Sequence, residues 1–152
     1  SLRLVSASLP RDIDPDTLSP EHKNSTAFLE LIGLWYGIAT FGKRLKYLTV
    51  QWTTDSKTAA SVWTQQKSKS PAIAHLLLMI ARSCIQNHIL VSAVWIPREK
   101  NVAADLLTHL RINDFCTLLP HFKPDDRVRV SRRVISKALK CRQVYHLQPD
   151  QN

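Results

Sequence analysis

Residues 46–63 read KYLTVQWTTDSKTAASVW. Leu48, Val50 and Trp52 alternate through a stretch rich in β-branched and aromatic side chains, which predicts a strand over 46–54. Ser56 then opens a helix that runs to about Lys67, so Asp55 stands alone where a strand stops and a helix starts. Ser70-Pro71 carries the cap and first-turn signature of a second helix, continuing through AIAHLLLMIARSCIQ. After it, ILVSAVWIP at 89–97 is a near-continuous apolar run closed by proline, as expected of a strand covered on both faces. Strand, helical crossover and strand make a βαβ unit, whose strands are parallel and whose connection is right-handed. In open α/β sheets ligands gather at the carboxyl ends of strands, which is where Asp55 lies.

Upstream, SLRLVSASL at 1–9 alternates weakly and reads as a strand, followed by a connection at 10–24 broken by Pro10, Pro15 and Pro20 among Asp12, Asp14 and Asp16. Asn24 or Ser25 caps a helix from about Thr26 to Phe41, ended by Gly42 and the cationic Lys43-Arg44. Its broad apolar surface (Phe28, Leu29, Leu31, Ile32, Trp35, Ile38, Ala39) implies burial against a sheet. Glu30 shares a stripe with Gly33 and Gly37. Glycine costs a helix interior about 1 kcal/mol relative to alanine, so the pair predicts close approach of another backbone or a ligand. Downstream, Asn101 is a candidate N-cap for the helix VAADLLTHL, with Asp105 in its first turn, and a further helix is expected near 113–119. Trp35, Trp52, Trp63 and Trp95 all fall on apolar faces and are expected in the core. His75 and His88 read as packing or cap residues, and His109 has no evident partner.

A chain of 152 residues, 44% hydrophobic and 22% charged, has the totals of one globular domain with a real core. No run of eighteen apolar residues and no secretory signal pattern occurs, so neither a membrane nor an export role is expected. Cys84, Cys116 and Cys141 form no CxxC pair and read as reduced thiols of an intracellular protein, in cytoplasm or nucleus. The net charge of +9 favours a polyanionic partner. From Arg127 to Arg142 basic residues recur without an acid, making Arg127, Arg129, Arg132, Arg133 and Lys137 candidate phosphate contacts; a basic exposed helix face is the plainer alternative.

Between His22 and Asn113 the only acids are Glu30, Asp55, Glu99 and Asp105. Carboxylates that cluster repel one another unless a cation or proton is shared, and an oxygen-only set suits Mg²⁺ or Mn²⁺. Glu30 within FLELIGLWYGI, Asp55 within Thr54-Asp55-Ser56, and WIPREKNVAADLLTHL closing on Asp105 together resemble the ribonuclease H domain attached to retroelement reverse transcriptases, over about residues 25–110. The resemblance implies an α/β fold, a ribonuclease H-like mixed sheet with flanking helices. It implies that Glu30, Asp55 and Asp105 are catalytic ligands of two Mg²⁺ (or Mn²⁺) ions and that the substrate is the RNA strand of an RNA–DNA hybrid. Such a substrate is told apart by its 2′-hydroxyls and duplex shape. It also implies a polymerase domain upstream in the same polyprotein.

The family carries a fourth acid on the first strand of an antiparallel meander, for which the stretch before Glu30 is too short. The expectation is that the first one or two strands lie upstream of Ser1 and SLRLVSASL is the third, or that Ser6 takes the acid's place. A chain starting with Ser rather than Met fits a piece of a longer polypeptide. At 98–100, where some relatives place a histidine, stand Arg98, Glu99 and Lys100; Glu99 is expected in a surface salt bridge with one of its neighbours, with action on the second metal as the alternative. The expected division is a remnant strand and loop at 1–24, a ribonuclease H-like core at 25–112 and a helical basic C-terminal extension at 113–152. A catalytically incomplete module of the same fold, binding nucleic acid or bracing a polymerase, is the alternative function.

Overall fold

The computed structural model describes residues 4–6 and 25–146. The expected connection at 10–24, with its prolines, aspartates and the Asn24 cap, lies outside the described residues, as do the ends of the 1–9 strand. The βαβ unit forms as its pattern dictates. Strand β2 (Thr49–Thr54) and strand β3 (Leu90–Trp95) are paired in parallel, Thr49 opposite Leu90 through Thr54 opposite Trp95. Helices α2 (Lys57–Gln65) and α3 (Pro71–Asn87) form the crossover. Ser56 Oγ accepts from the Ala59 N–H at 3.1 Å, and Ser70 Oγ from the Ile73 N–H at 3.4 Å, with Pro71 in the first turn of α3. These caps satisfy amide groups that no helical carbonyl reaches. Ser56→Ala is expected to cost about 1 kcal/mol, read as a lower urea midpoint with unchanged slope.

Strand β2 begins at Thr49 rather than Lys46. Tyr47 takes a left-handed backbone (φ 66°), donates its N–H to Asn87 O at 3.2 Å, and stacks its ring on His88 with centroids 5.0 Å apart. His88 is itself the left-handed C-cap of α3. These contacts hold the entry of β2 to the exit of α3.

Helix α1 (Ser25–Phe41) supplies the largest share of the core. Leu31 and Ile38 pack with Ile73, Leu76 and Ile80 of α3, all at 1% exposure or less. Val50, Trp52, Val91 and Ala93 present the apolar face of the β2–β3 ladder to this cluster. The indole of Trp63 donates to Val91 O at 3.0 Å, tying α2 to β3. Short helices α4 (Val102–Thr108) and α5 (Ile112–Leu118) follow. Strand β4 (Arg127–Arg129) pairs in parallel with β1 (Leu4–Ser6), and helix α6 (Arg132–His146) packs on α1 and α3. Val130 and Ala138 join the main core, and Trp35 Nε1 donates to Val134 O at 3.0 Å. The basic C-terminal segment is thus fastened to the same hydrophobic cluster as the βαβ unit. Both described strand pairs are parallel, an α/β arrangement compatible with a ribonuclease H-like fold.

Local expectations fail at β3 and, as far as a protein backbone is concerned, at the two glycines of α1. Strand β3 is not covered on both faces: Leu90 is 70% and Trp95 41% exposed, because the described helices cover only the face that carries Val91 and Ala93. Nor does any described backbone approach Gly33 or Gly37, where an added Cβ would meet nothing within 4 Å. The tight glycine is Gly42, whose Cβ would fall 2.7 Å from Ile38 O and 3.1 Å from Asn87 Nδ2. Cys84 and Cys141 are buried free thiols whose pKa values burial pushes up, the poorly reactive state expected of packed cysteines. No helix among the described residues is long and apolar enough to cross a membrane.

Candidate active site

Thr54, the last residue of β2, continues the inward parity of Val50 and Trp52 and is fully buried. A hydroxyl in that position must find partners. Its Oγ1 donates to Glu30 Oε2 at 2.8 Å and accepts from the Ser56 N–H at 3.2 Å. One side chain therefore joins the carboxylate of α1 to the turn that carries Asp55. The same turn is held from β3: Ile96 donates its N–H to Thr54 O at 3.0 Å, and Trp95 Nε1 donates to Asp55 O at 3.0 Å. The Trp95 ring, expected in the core, lies instead on the open face of β3, with Lys57 Nζ 4.5 Å from its centroid.

Glu30 titrates above the ordinary carboxylate range. Desolvation is the main cause, the Thr54 hydrogen bond opposes it, and the negative charge of Asp55 adds to it. The two carboxylates are thus near enough to repel each other. Mg²⁺ is commonly held by one or two carboxylates, with waters and substrate phosphates filling the remaining positions, and Glu30 with Asp55 matches that minimal donor set.

Asp105 sits in the first turn of α4, more than half exposed, with Oδ1 3.5 Å from His109 Nδ1. His109 accordingly has a partner, which the sequence did not reveal. Among the described residues no three His, Cys, Asp or Glu side chains are grouped to hold a metal ion. The structure brings Glu30 and Asp55 together and leaves Asp105 outside that pair. Asn101 flanks α4 without a side-chain cap bond, and Glu99 forms no ion pair with Arg98 or Lys100 among the described residues. Arg127 and Arg129 are exposed on β4, and Arg132, Arg133 and Lys137 are exposed on α6.

A family model described as Reverse transcriptase-like matches residues 18–110, taking in Glu30, Asp55 and Asp105. The chain belongs to the reverse transcriptase-like family. It is a ribonuclease H-like domain. No curated protein and no solved structure matches it. The reverse transcriptase-like match spans α1 through α4 and stops before α5, so the basic residues of β4 and α6 fall beyond it.

Thr54 is the site residue that sequence reading missed in this reverse transcriptase-like domain. Its signal was available: a hydroxyl on the buried parity of a strand, directly before an acid. The raised Glu30 pKa has a consequence for stability. The native carboxyl keeps its proton to higher pH than the unfolded one, so stability falls as pH rises from the ordinary 4.5 through the native value. Glu30→Gln, which retains an acceptor for Thr54, is expected to be more resistant to urea than wild type at neutral pH, by about 0.5–2 kcal/mol. The gap should shrink below pH 4.5. A gap independent of pH would remove ionisation as its cause.

Proposed function

We propose that this chain is the ribonuclease H domain of a retroelement reverse transcriptase polyprotein, cutting the RNA strand of RNA–DNA hybrids endonucleolytically with two Mg²⁺ or Mn²⁺ ions. The observation that carries the reading is the joint at the end of β2, where Thr54 holds Glu30 beside the Asp55 turn. In this reading Glu30 and Asp55 supply fixed oxygens, and Asp105 turns from His109 to complete the set. The ions, when bound, supply a nucleophilic hydroxide and stabilise the leaving 3′-oxygen. The chain's own contributions are positional. Thr54 fixes the Glu30 carboxylate, and the bonds from Trp95 and Ile96 fix the turn, so little reorganisation is left for the reaction. Arg127, Arg129, Arg132, Arg133 and Lys137 meet the phosphate backbone. The upstream polymerase domain is the proposed covalent partner, and the setting is intracellular, in cytoplasm or nucleus.

The alternative, a catalytically incomplete module that holds a duplex or braces the polymerase, is favoured by one observation: two carboxylates rather than three are gathered. A panel of RNA–DNA hybrid, duplex DNA and branched DNA, each with Mg²⁺, Mn²⁺ or EDTA, distinguishes the readings. It should be run on the chain alone and joined to the polypeptide expected upstream. Metal-dependent cutting of the RNA strand supports the enzyme. Hybrid binding without cutting in either form supports the module, and preferential cutting of branched DNA points to a resolving nuclease instead.

A further inference from the structure

Helices α1, α3 and α6 enclose a groove of about 630 Å³ that includes none of Glu30, Asp55 and Asp105. Its apolar lining includes Met79 of α3 and Val134 of α6, the latter already held by the Trp35 indole. Arg82 projects from α3 on one side, and Arg133, Lys137 and Lys140 from α6 on the other. No Asp or Glu lines the groove, and among the described residues none of these four cations forms an ion pair. Like charges gathered without an acid repel one another, and an apolar floor leaves that repulsion less screened than in open water. A bound polyanion removes the repulsion and gains charge-assisted hydrogen bonds, with guanidinium groups able to grip a phosphate through two N–H donors.

We propose that this groove is a phosphate-backbone site for a nucleic-acid strand, with Arg82 and Lys140 as contacts alongside Arg133 and Lys137. At Arg133 an ammonium group would be a poorer substitute, since only the guanidinium offers the paired donors. The three α6 cations follow i, i+4, i+7 spacing, which sets them in one row about 5–6 Å from neighbour to neighbour. A row of regular pitch suits the regular repeat of phosphates along a strand, whereas acids on a peptide come at intervals its sequence dictates. The inference rests on the nucleic-acid part of the proposed function and is independent of the cleavage chemistry.

The test is fluorescence anisotropy of a labelled RNA–DNA hybrid on the full chain, in EDTA, over a KCl series. Arg82→Gln combined with Lys140→Gln is expected to weaken binding roughly ten- to hundredfold and to lower the slope of log affinity against log salt by about 2. Neither side chain belongs to the buried core and the change relieves like-charge repulsion, so thermal melting should not fall. Lys67→Gln, an exposed cation outside the groove, supplies the comparison. If the double variant loses no more than Lys67→Gln does, or if wild type binds no hybrid, the site is overturned. Polyglutamate binding as tightly as the hybrid, with equal sensitivity to the double variant, would assign the groove to an acidic protein and also overturn it. Binding that responds as expected while the substrate panel shows no cleavage would sink the catalytic reading and leave the groove standing.

Discussion

Asp55→Asn is expected to slow hybrid cleavage by about 10²–10³-fold or more, in the polypeptide that carries the active domain, while affinity for the hybrid in EDTA stays the same or rises. The two effects have one origin. The substitution removes an anionic oxygen from the pair with Glu30 and a negative charge from the neighbourhood of the phosphates. The local fold should survive, since the bonds that hold the turn use the Asp55 main-chain carbonyl and its neighbours rather than its carboxylate. Relief of repulsion also lets the Glu30 carboxyl titrate closer to its ordinary value. Single-turnover cleavage paired with anisotropy checks both halves; unchanged cleavage in Mg²⁺ would refute the role given to Asp55.

The second large effect is on stability. Ile80→Ala is expected to cost about 2–5 kcal/mol, because Ile80 is fully buried between α3 and its neighbours and a truncated side chain there leaves a cavity. Against a typical domain stability of about 5–15 kcal/mol, that brings the chain near unfolding. Ile85 is the internal comparison, the same residue type on the same helix at 74% exposure. Ile85→Ala should stay within about 0.5 kcal/mol of wild type. Urea unfolding of both variants reads the contrast, and similar losses at the two positions would contradict the assigned packing of α3.

The elements from α1 to α5 were legible because their signals are local. Ser56 and Ser70-Pro71 mark helix starts, Gly42 marks a stop, and Val50, Trp52 and Thr54 alternate inward whatever lies beyond them. What was not legible depends on neighbours. An apolar run such as ILVSAVWIP has the same pattern whether one or two layers cover it, so the exposure of Leu90 and Trp95 could not be read from it. The glycines of α1 were expected to admit a close neighbour, and among the described residues none is there. At the candidate site, three carboxylates were expected together; Glu30 and Asp55 lie near enough to repel while Asp105 stands apart, and the Thr54 hydroxyl between the first two elements is a tertiary contact without a motif. The pairing of Asp105 with His109 is local and was missed: i, i+4 spacing on a helix is enough to suggest it. Arg82 lies far along the chain from the basic C-terminal run, and only the packing of α3 on α6 brings them to one groove.

The parallel register of β2 with β3 has a consequence for the order of events in folding. Thr54 can meet Glu30 once α1 and the following strand exist, but its main-chain carbonyl is engaged only when Ile96 arrives, after both crossover helices have been made. Closing so long a loop before its contacts form is the slow step typical of parallel pairings. On a ribosome, the acidic corner would therefore become rigid only after the Trp95 segment has left the exit tunnel.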